Sequence, residues 1–409
     1  MNGEKTLAQS VSEQITRLCE ESNFSRDVVN RLIFHYGYAR TATLVAKLRQ
    51  HPKTIPIRVN TLFTTIDKLF ESLQAKNIPA QKLPAVPDCL LIEVEGPKNL
   101  ERKEKSVQIK FSKKVNEVLT GLNLTYKDFF PTEDLKIGDE ISVVTKKGEV
   151  IANGILMMQL EDILRRKKGV AIKIIESKYA IPNLKTLKEF LRGQFIRQSL
   201  GSILVGAQIS LKTKDRFLIL NAGRGELLSY IWQRNQNVKD VKYIAFERTD
   251  ANWLKFDENI KRLRMYKLPV ERFKMSFAGF ARKFNRDETF DVIVIDGPST
   301  NIGLRPKLFE NLKENAILKT ISIQRKYLTE AARLLKNGGT LFYLTNSLDP
   351  AENENNVQFA VEELNLKVAK QNIFIGSPPQ GDFIGVEKLQ YLYPDKQDFN
   401  GQFIAKFTK

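Results

Sequence analysis

The sequence predicts an α/β protein: a doubly wound sheet preceded by a helical and small α/β N-terminal domain and a β-barrel. Three observations predict it. From Lys214 onward, apolar strand runs alternate with helical segments, the pattern of a parallel sheet covered on both faces. Between residues 105 and 178, short β-like runs are separated by Gly and charged turns, which suits a small barrel. Over the first 50 residues, apolar side chains recur at helical spacing.

In chain order, Val11 to Cys19 and Val28 to Tyr36 read as helices. Ile55 to Asn60 reads as a strand. Thr65 to Ala75 follows as an amphipathic helix with Ile66, Leu69, Phe70 and Leu73 on one face, and Leu90 to Val94 as a second strand. Gly96 to Lys105 is a polar linker. The β-like runs are Val107 to Phe111, Ile141 to Val144, Val150 to Ile155 and Val170 to Ile175. The sheet strands are Phe217 to Leu220, Tyr243 to Phe246, Val292 to Ile295 and Thr340 to Leu344. The expected domains are 1–104, 105–178 and 179–409, the last opening with a linking helical segment over 179–213.

The net charge of +18 points to a polyanionic partner, and residues 181–409 hold 36 Lys/Arg against 25 Asp/Glu. Candidate phosphate contacts are Lys113, Lys114, Arg165, Arg166, Lys167 and Lys168 in the β unit, and Lys261, Arg262 and Arg264 in the last domain. Two cysteines, Cys19 and Cys89, and two histidines, His35 and His51, argue against a disulfide framework, a zinc site or any metal site. No apolar stretch reaches the ~18 residues of a membrane helix, so a cytoplasmic protein without a membrane partner is expected.

A doubly wound sheet binds ligands beyond the C-terminal ends of its strands. There, Asn221-Ala-Gly-Arg-Gly225 is a turn into a helix, and Glu247 follows 22 residues after Gly225. Glycines that admit close backbone approach, with an acid at that offset, suit an adenosine-type cofactor. Asp296-Gly-Pro-Ser299 and Tyr343-Leu-Thr-Asn-Ser347 end two further strands; from periodicity alone, both read as ordinary turn and cap residues rather than a site.

Together these segments resemble the Sun/Nop-type RNA cytosine-5 methyltransferases, in the form with an inserted PUA domain typical of archaeal members. Ile55-Pro-Ile-Arg-Val-Asn-Thr-Leu62 resembles the family's Arg-Val-Asn-Thr strand, and Gln198-Ser-Leu-Gly-Ser202 its Gln-x-x-x-Ser helix start. Asp296-Gly-Pro-Ser-Thr-Asn-Ile-Gly303 resembles the family's Asp-Ala-Pro-Cys-Ser-Gly-Thr-Gly, and the run ending Tyr343-Leu-Thr-Asn-Ser347 its Tyr-Ser-Thr-Cys-Ser. Val115 to Gly121, Leu135 to Val143 and Gly169 to Lys173 resemble a PUA domain. The resemblance implies a Rossmann-like methyltransferase fold, RNA as partner, and S-adenosylmethionine at Gly223, Gly225, Glu247 and Asp296.

It also implies two catalytic cysteines, and their positions hold Ser299 and Asn346. Cytosine C5 becomes nucleophilic only after a thiolate adds to C6. A thiol of pKa ~8.5 ionises to a few per cent near neutrality, and a serine hydroxyl without a base does not. In the cofactor loop, the family's acid is Leu218 and its lysine is Glu226, which leaves both retention and loss of the cofactor open. The expectation is an RNA-binding, catalytically inactive relative that binds ribosomal RNA, with transfer RNA second, as a structural or assembly factor. Its possible protein partners are ribosomal proteins or an active methyltransferase. The alternative is an active S-adenosylmethionine-dependent methyltransferase of ribosomal or transfer RNA that uses no cysteine.

Overall fold

The computed structural model describes residues 2–110, 112–130, 134–159, 169–275, 277–284 and 288–409. The first sheet begins with β1 (Thr54–Val59), β2 (Ala80–Lys82) and β3 (Cys89–Glu93), all antiparallel. Helix Ile66–Gln74 starts where the Thr65 side chain accepts the Lys68 N–H. It buries Leu69 and Leu73 against Ile57, Val59, Leu90 and Ile92, as its apolar face requires.

The next six strands are β4 (Lys105–Ile109), β5 (Leu124–Thr125), β6 (Phe129–Phe130), β7 (Glu140–Val144), β8 (Val150–Leu156) and β9 (Val170–Ser177). They form one sheet in the order β5-β9-β8-β7-β4-β6 around Val107, Ile141, Val143, Ile151 and Ile172. The chain then returns to the first sheet. Strand β10 (Phe195–Arg197) pairs with β1, and Phe195 fills the core under helix Ile66–Gln74. The segment expected only to link domains therefore completes a sheet that opened more than 100 residues earlier.

The last sheet holds β11 (Arg216–Leu220), β12 (Lys242–Phe246), β13 (Val270–Phe273), β14 (Phe290–Asp296), β15 (Leu335–Thr345), β16 (Lys367–Val368), β17 (Gln390–Leu392) and β18 (Gln402–Thr408). Its order is β13-β12-β11-β14-β15-β18-β16, with β17 also on β18. Strands β11 to β15 are parallel and β18 is antiparallel. The order reverses between β11 and β14, so the crevice beyond these two strands is the place for a ligand.

Strands buried on both faces send alternate side chains into two cores. Leu218, Leu220, Ile244, Phe246, Ile293 and Ile295 face one, and Phe217, Ile219, Tyr243, Ala245, Val292 and Val294 face the other. The first core also takes Val28, Leu32, Leu44 and Leu48 from the N-terminal helices. These helices were expected to belong with the small α/β unit, and they cover the large sheet instead. An amphipathic stripe shows that a face is buried but not what buries it. The docking is fixed by Arg31 Nε on Asp349 Oδ2 at 2.6 Å and by Tyr36 Oη donating to the Leu348 carbonyl at 2.7 Å.

Candidate functional site

The turn after β11 forms because its glycines permit it. Gly223 and Gly225 have φ of 55° and 80°. A Cβ on Gly225 would meet the Phe256 ring at 2.5 Å, so the close approach itself demands glycine. Gly225 caps helix Glu226–Asn235. Glu247, at the end of β12, is buried and braces this turn. Its Oε2 accepts the Gly223 N–H at 3.1 Å, and its Oε1 accepts the Thr249 N–H at 3.0 Å. Leu218, in the position of the family's acid, is fully buried apolar core.

Asp296 ends β14 across the crevice. Burial raises its pKa to about 7, and the nearby Glu226 carboxylate adds to the rise. Glu226 is paired with Arg224, Nε to Oε1 at 2.8 Å. Two carboxylates thus share the floor of the crevice.

Ser299 and Asn346 are brought together. Ser299 Oγ accepts the Asn346 backbone N–H at 3.2 Å and donates to Asn301 Oδ1 at 3.2 Å. Asn346 Oδ1 accepts from Gln402 Nε2 at 2.8 Å, and Gln402 Oε1 accepts the Gly201 N–H at 2.8 Å. The hydroxyl proton of Ser299 therefore points at an amide oxygen, which is no base. The two thiols are elsewhere. Cys89 lies buried in β3 with its pKa raised to about 12 by burial, and Cys19 lies in helix Asn2–Ser22, also raised by burial. Neither is a thiolate near neutrality.

The loops that carry Ser299 and Asn346 are held from beneath by Glu352, which has no solvent exposure. Its Oε2 accepts the Thr300 N–H and Gln324 Nε2, both at 2.9 Å, and its Oε1 accepts from Thr300 Oγ1 and Ser347 Oγ. Burial raises its pKa. Gln324 also donates to the Pro298 carbonyl at 2.9 Å. Thr300, Gln324, Ser347 and Gln402 are site residues that the residue types alone did not single out, since each is an ordinary polar side chain until the fold gathers them.

The charged candidates fare differently. Lys114 is paired with Glu117 at 2.9 Å. The Lys113 side chain, Arg165, Arg166, Lys167 and Lys168 lie outside the described residues, as does Ser276, the position after β13 where the family has an acid. Lys261 is exposed, and the exposed Arg264 sets its guanidinium over the Phe63 ring, 5.6 Å from the centroid. Arg262 departs from the expectation of a phosphate contact. It stacks 3.9 Å over Phe190, and Nη1 donates to the Phe190 and Phe195 carbonyls, both at 3.0 Å. Burial lowers its pKa to about 10. It pins the first sheet to the last domain.

The strand order and the turn between β11 and its helix define a Rossmann-like methyltransferase domain, here joined to two smaller modules. Residues 207–408 match the 16S rRNA methyltransferase RsmB/F family, 27–98 the ferredoxin-like domain of RsmF/B-like methyltransferases, and 116–177 the PUA domain. The tRNA (cytosine(72)-C(5))-methyltransferase of Pyrococcus horikoshii is 30% identical over 378 residues, 91% of this chain and 94% of that one. Mouse NSUN6, another tRNA (cytosine(72)-C(5))-methyltransferase, is 27% identical, over 86% of this chain and 80% of that one. The crystal structure of NSun6 from Pyrococcus horikoshii with SFG superposes with a TM-score of 0.86 at 30% identity, over 95% of this chain and 99% of that one. The chain belongs to the S-adenosylmethionine-dependent RNA cytosine-5 methyltransferase family.

The residues present fit S-adenosylmethionine in part. The Gly223–Gly225 turn and Glu247 suit its nucleoside half. Charge opposes the fit, since Glu226 stands close enough to Asp296 to raise its pKa and S-adenosylmethionine carries a carboxylate of its own.

Proposed function

We propose that the chain binds transfer RNA and does not methylate cytosine C5 through a cysteine adduct. Transfer RNA takes precedence over ribosomal RNA because the relatives aligned along nearly the whole chain are tRNA methyltransferases. The observation that carries the rest is the Ser299–Asn346 pair, closed by amide hydrogen bonds where the reaction needs a thiolate. The test incubates the full chain with tRNA transcripts and labelled S-adenosylmethionine, with binding measured separately. Salt-sensitive tRNA binding without 5-methylcytidine is expected, and 5-methylcytidine in the product would overturn the reading.

A second reading is methyl transfer without cysteine, to an amine or a hydroxyl of tRNA. Two observations favour it: the near full-length relatives are named as methyltransferases, and Asp296, at about 7, is poised to take up a proton near neutral pH. Label appearing in tRNA at any atom other than cytosine C5 selects it.

A further inference from the structure

A cleft of about 680 Å³ lies between the first sheet and the Gly223–Gly225 turn, and neither Ser299 nor Asn346 lines it. Six Lys or Arg side chains line it against two carboxylates, Glu226 and Glu258. Three of the cations are exposed and uncommitted. Among the described residues, Lys185, Arg197 and Lys255 have no hydrogen-bond or ion-pair partner for their side chains, and Arg197 and Lys255 flank the Gly223–Gly225 turn and Gln198 side of the cleft. Arg197 stands near Arg224, and the loss of water within the cleft, followed by this second guanidinium, lowers its pKa. Like charges left side by side at the mouth of a cleft form an anion site.

A second feature is independent of charge. Gln198 also lines the cleft and is only 6% exposed. Its Nε2 donates to Ser202 Oγ at 2.9 Å, while Oε1 is buried without any partner. A buried amide oxygen left unpaired costs about 1–3 kcal/mol and calls for an N–H donor. A backbone phosphodiester or a carboxylate offers only acceptors. A nucleotide offers both a phosphate and the N–H groups of its base.

We propose that this cleft holds one nucleotide of the bound RNA, with its phosphate on Arg197 and Lys255 and a base N–H on Gln198 Oε1. The proposal rests on the tRNA-binding reading and names a contact point for it. The strand that presents Arg197 is β10, so the base is read on the module that returns to complete the first sheet. Nearby, Arg264 over Phe63 offers a cation and an exposed ring of the kind that carries a following base.

The test measures binding of labelled tRNA transcript to the full chain across a salt series. For Arg197→Ala combined with Lys255→Ala, affinity falls about tenfold and the slope of log K on log salt shrinks by about two. Gln198→Leu is read at fixed salt, with a thermal melt showing that it folds. It weakens binding about threefold and leaves the salt slope unchanged, as an uncharged contact must. Wild-type affinity and slope in the double variant overturn the proposal. A wild-type chain that binds no tRNA defeats the functional reading instead. In that case calorimetry with cytidine monophosphate and with orthophosphate judges the cleft. Nucleotide bound more tightly than orthophosphate, with the difference lost in Gln198→Leu, upholds it, and equal or absent binding overturns it.

Discussion

Two layers of the crevice differ in how they are built. Beneath, Glu352 ties Thr300, Gln324 and Ser347 into a buried network in which every carboxylate oxygen has partners. Above, at the tips of the same loops, Ser299 and Asn346 are held through an amide chain with no base and no thiol. The lower layer sets loop position and the upper layer sets chemistry. A protein can therefore keep the geometry of a reaction centre while exchanging the atoms that react.

Variants in each layer test that separation. Glu352→Ala leaves Thr300, Gln324 and Ser347 with unpaired buried groups and is expected to cost about 4 kcal/mol, read as a large drop in Tm. A change of 1 kcal/mol or less would mean that the lower layer is dispensable.

Asp296→Asn removes a group whose pKa is raised to about 7 in the folded state. Between about pH 4, where the unfolded carboxyl ionises, and about pH 7, the folded state binds more protons than the unfolded one. Wild-type stability therefore falls as pH rises through that window, and the variant lacks this loss. The variant should gain roughly 3 kcal/mol on wild type between pH 4 and pH 7.5 by denaturant melts. A constant difference would remove the charge conflict from the account.

Glu226→Lys replaces the carboxylate that helps to raise Asp296 with a cation. Two outcomes are expected: the Asp296 titration moves below 7 by carbon-detected NMR, and S-adenosylmethionine binds about tenfold more tightly by calorimetry, a gain of about 1.4 kcal/mol. Unchanged affinity would place the poor fit elsewhere, with Leu218 next in line. The smallest effect belongs to the upper layer. Ser299→Cys with Asn346→Cys should change stability by about 1 kcal/mol or less, since the bonds it gives up or weakens, to Asn301, from Gln402 and from the Asn346 N–H, are exposed or only part-buried and water can replace them. A loss as large as that of Glu352→Ala would merge the layers.

The strands of the large sheet were legible because a strand covered on both faces is a continuous apolar run, as in Phe217 to Leu220 and Val292 to Ile295. The barrel-like unit was legible in its turns. The Ser299 and Asn346 positions emerged from resemblance, because periodicity treats both stretches as ordinary turns. Burial partners escaped altogether. Nothing in the run Lys261-Arg262-Leu263-Arg264 shows that its second cation will stack on Phe190 and leave solvent, since a charge run has no direction until a helix gives it one. The cover of the large sheet by the first three helices escaped for the same reason.

The PUA unit is inserted between β3 and β10, and its two connections meet. Glu95 and Ala180 exchange backbone hydrogen bonds of 3.1 and 2.9 Å, so the chain leaves the first sheet and comes back to it through one doorway. The unit is also held from the side, where Arg49 Nη2 pairs with Glu149 at 2.9 Å and Ile55 and Leu308 pack into its core, so a replacement must supply those contacts as well. Natural shuffling or a protein engineer could exchange it for another RNA-gripping unit with adjacent ends, and the remaining body would keep its strand order while acquiring a new choice of RNA.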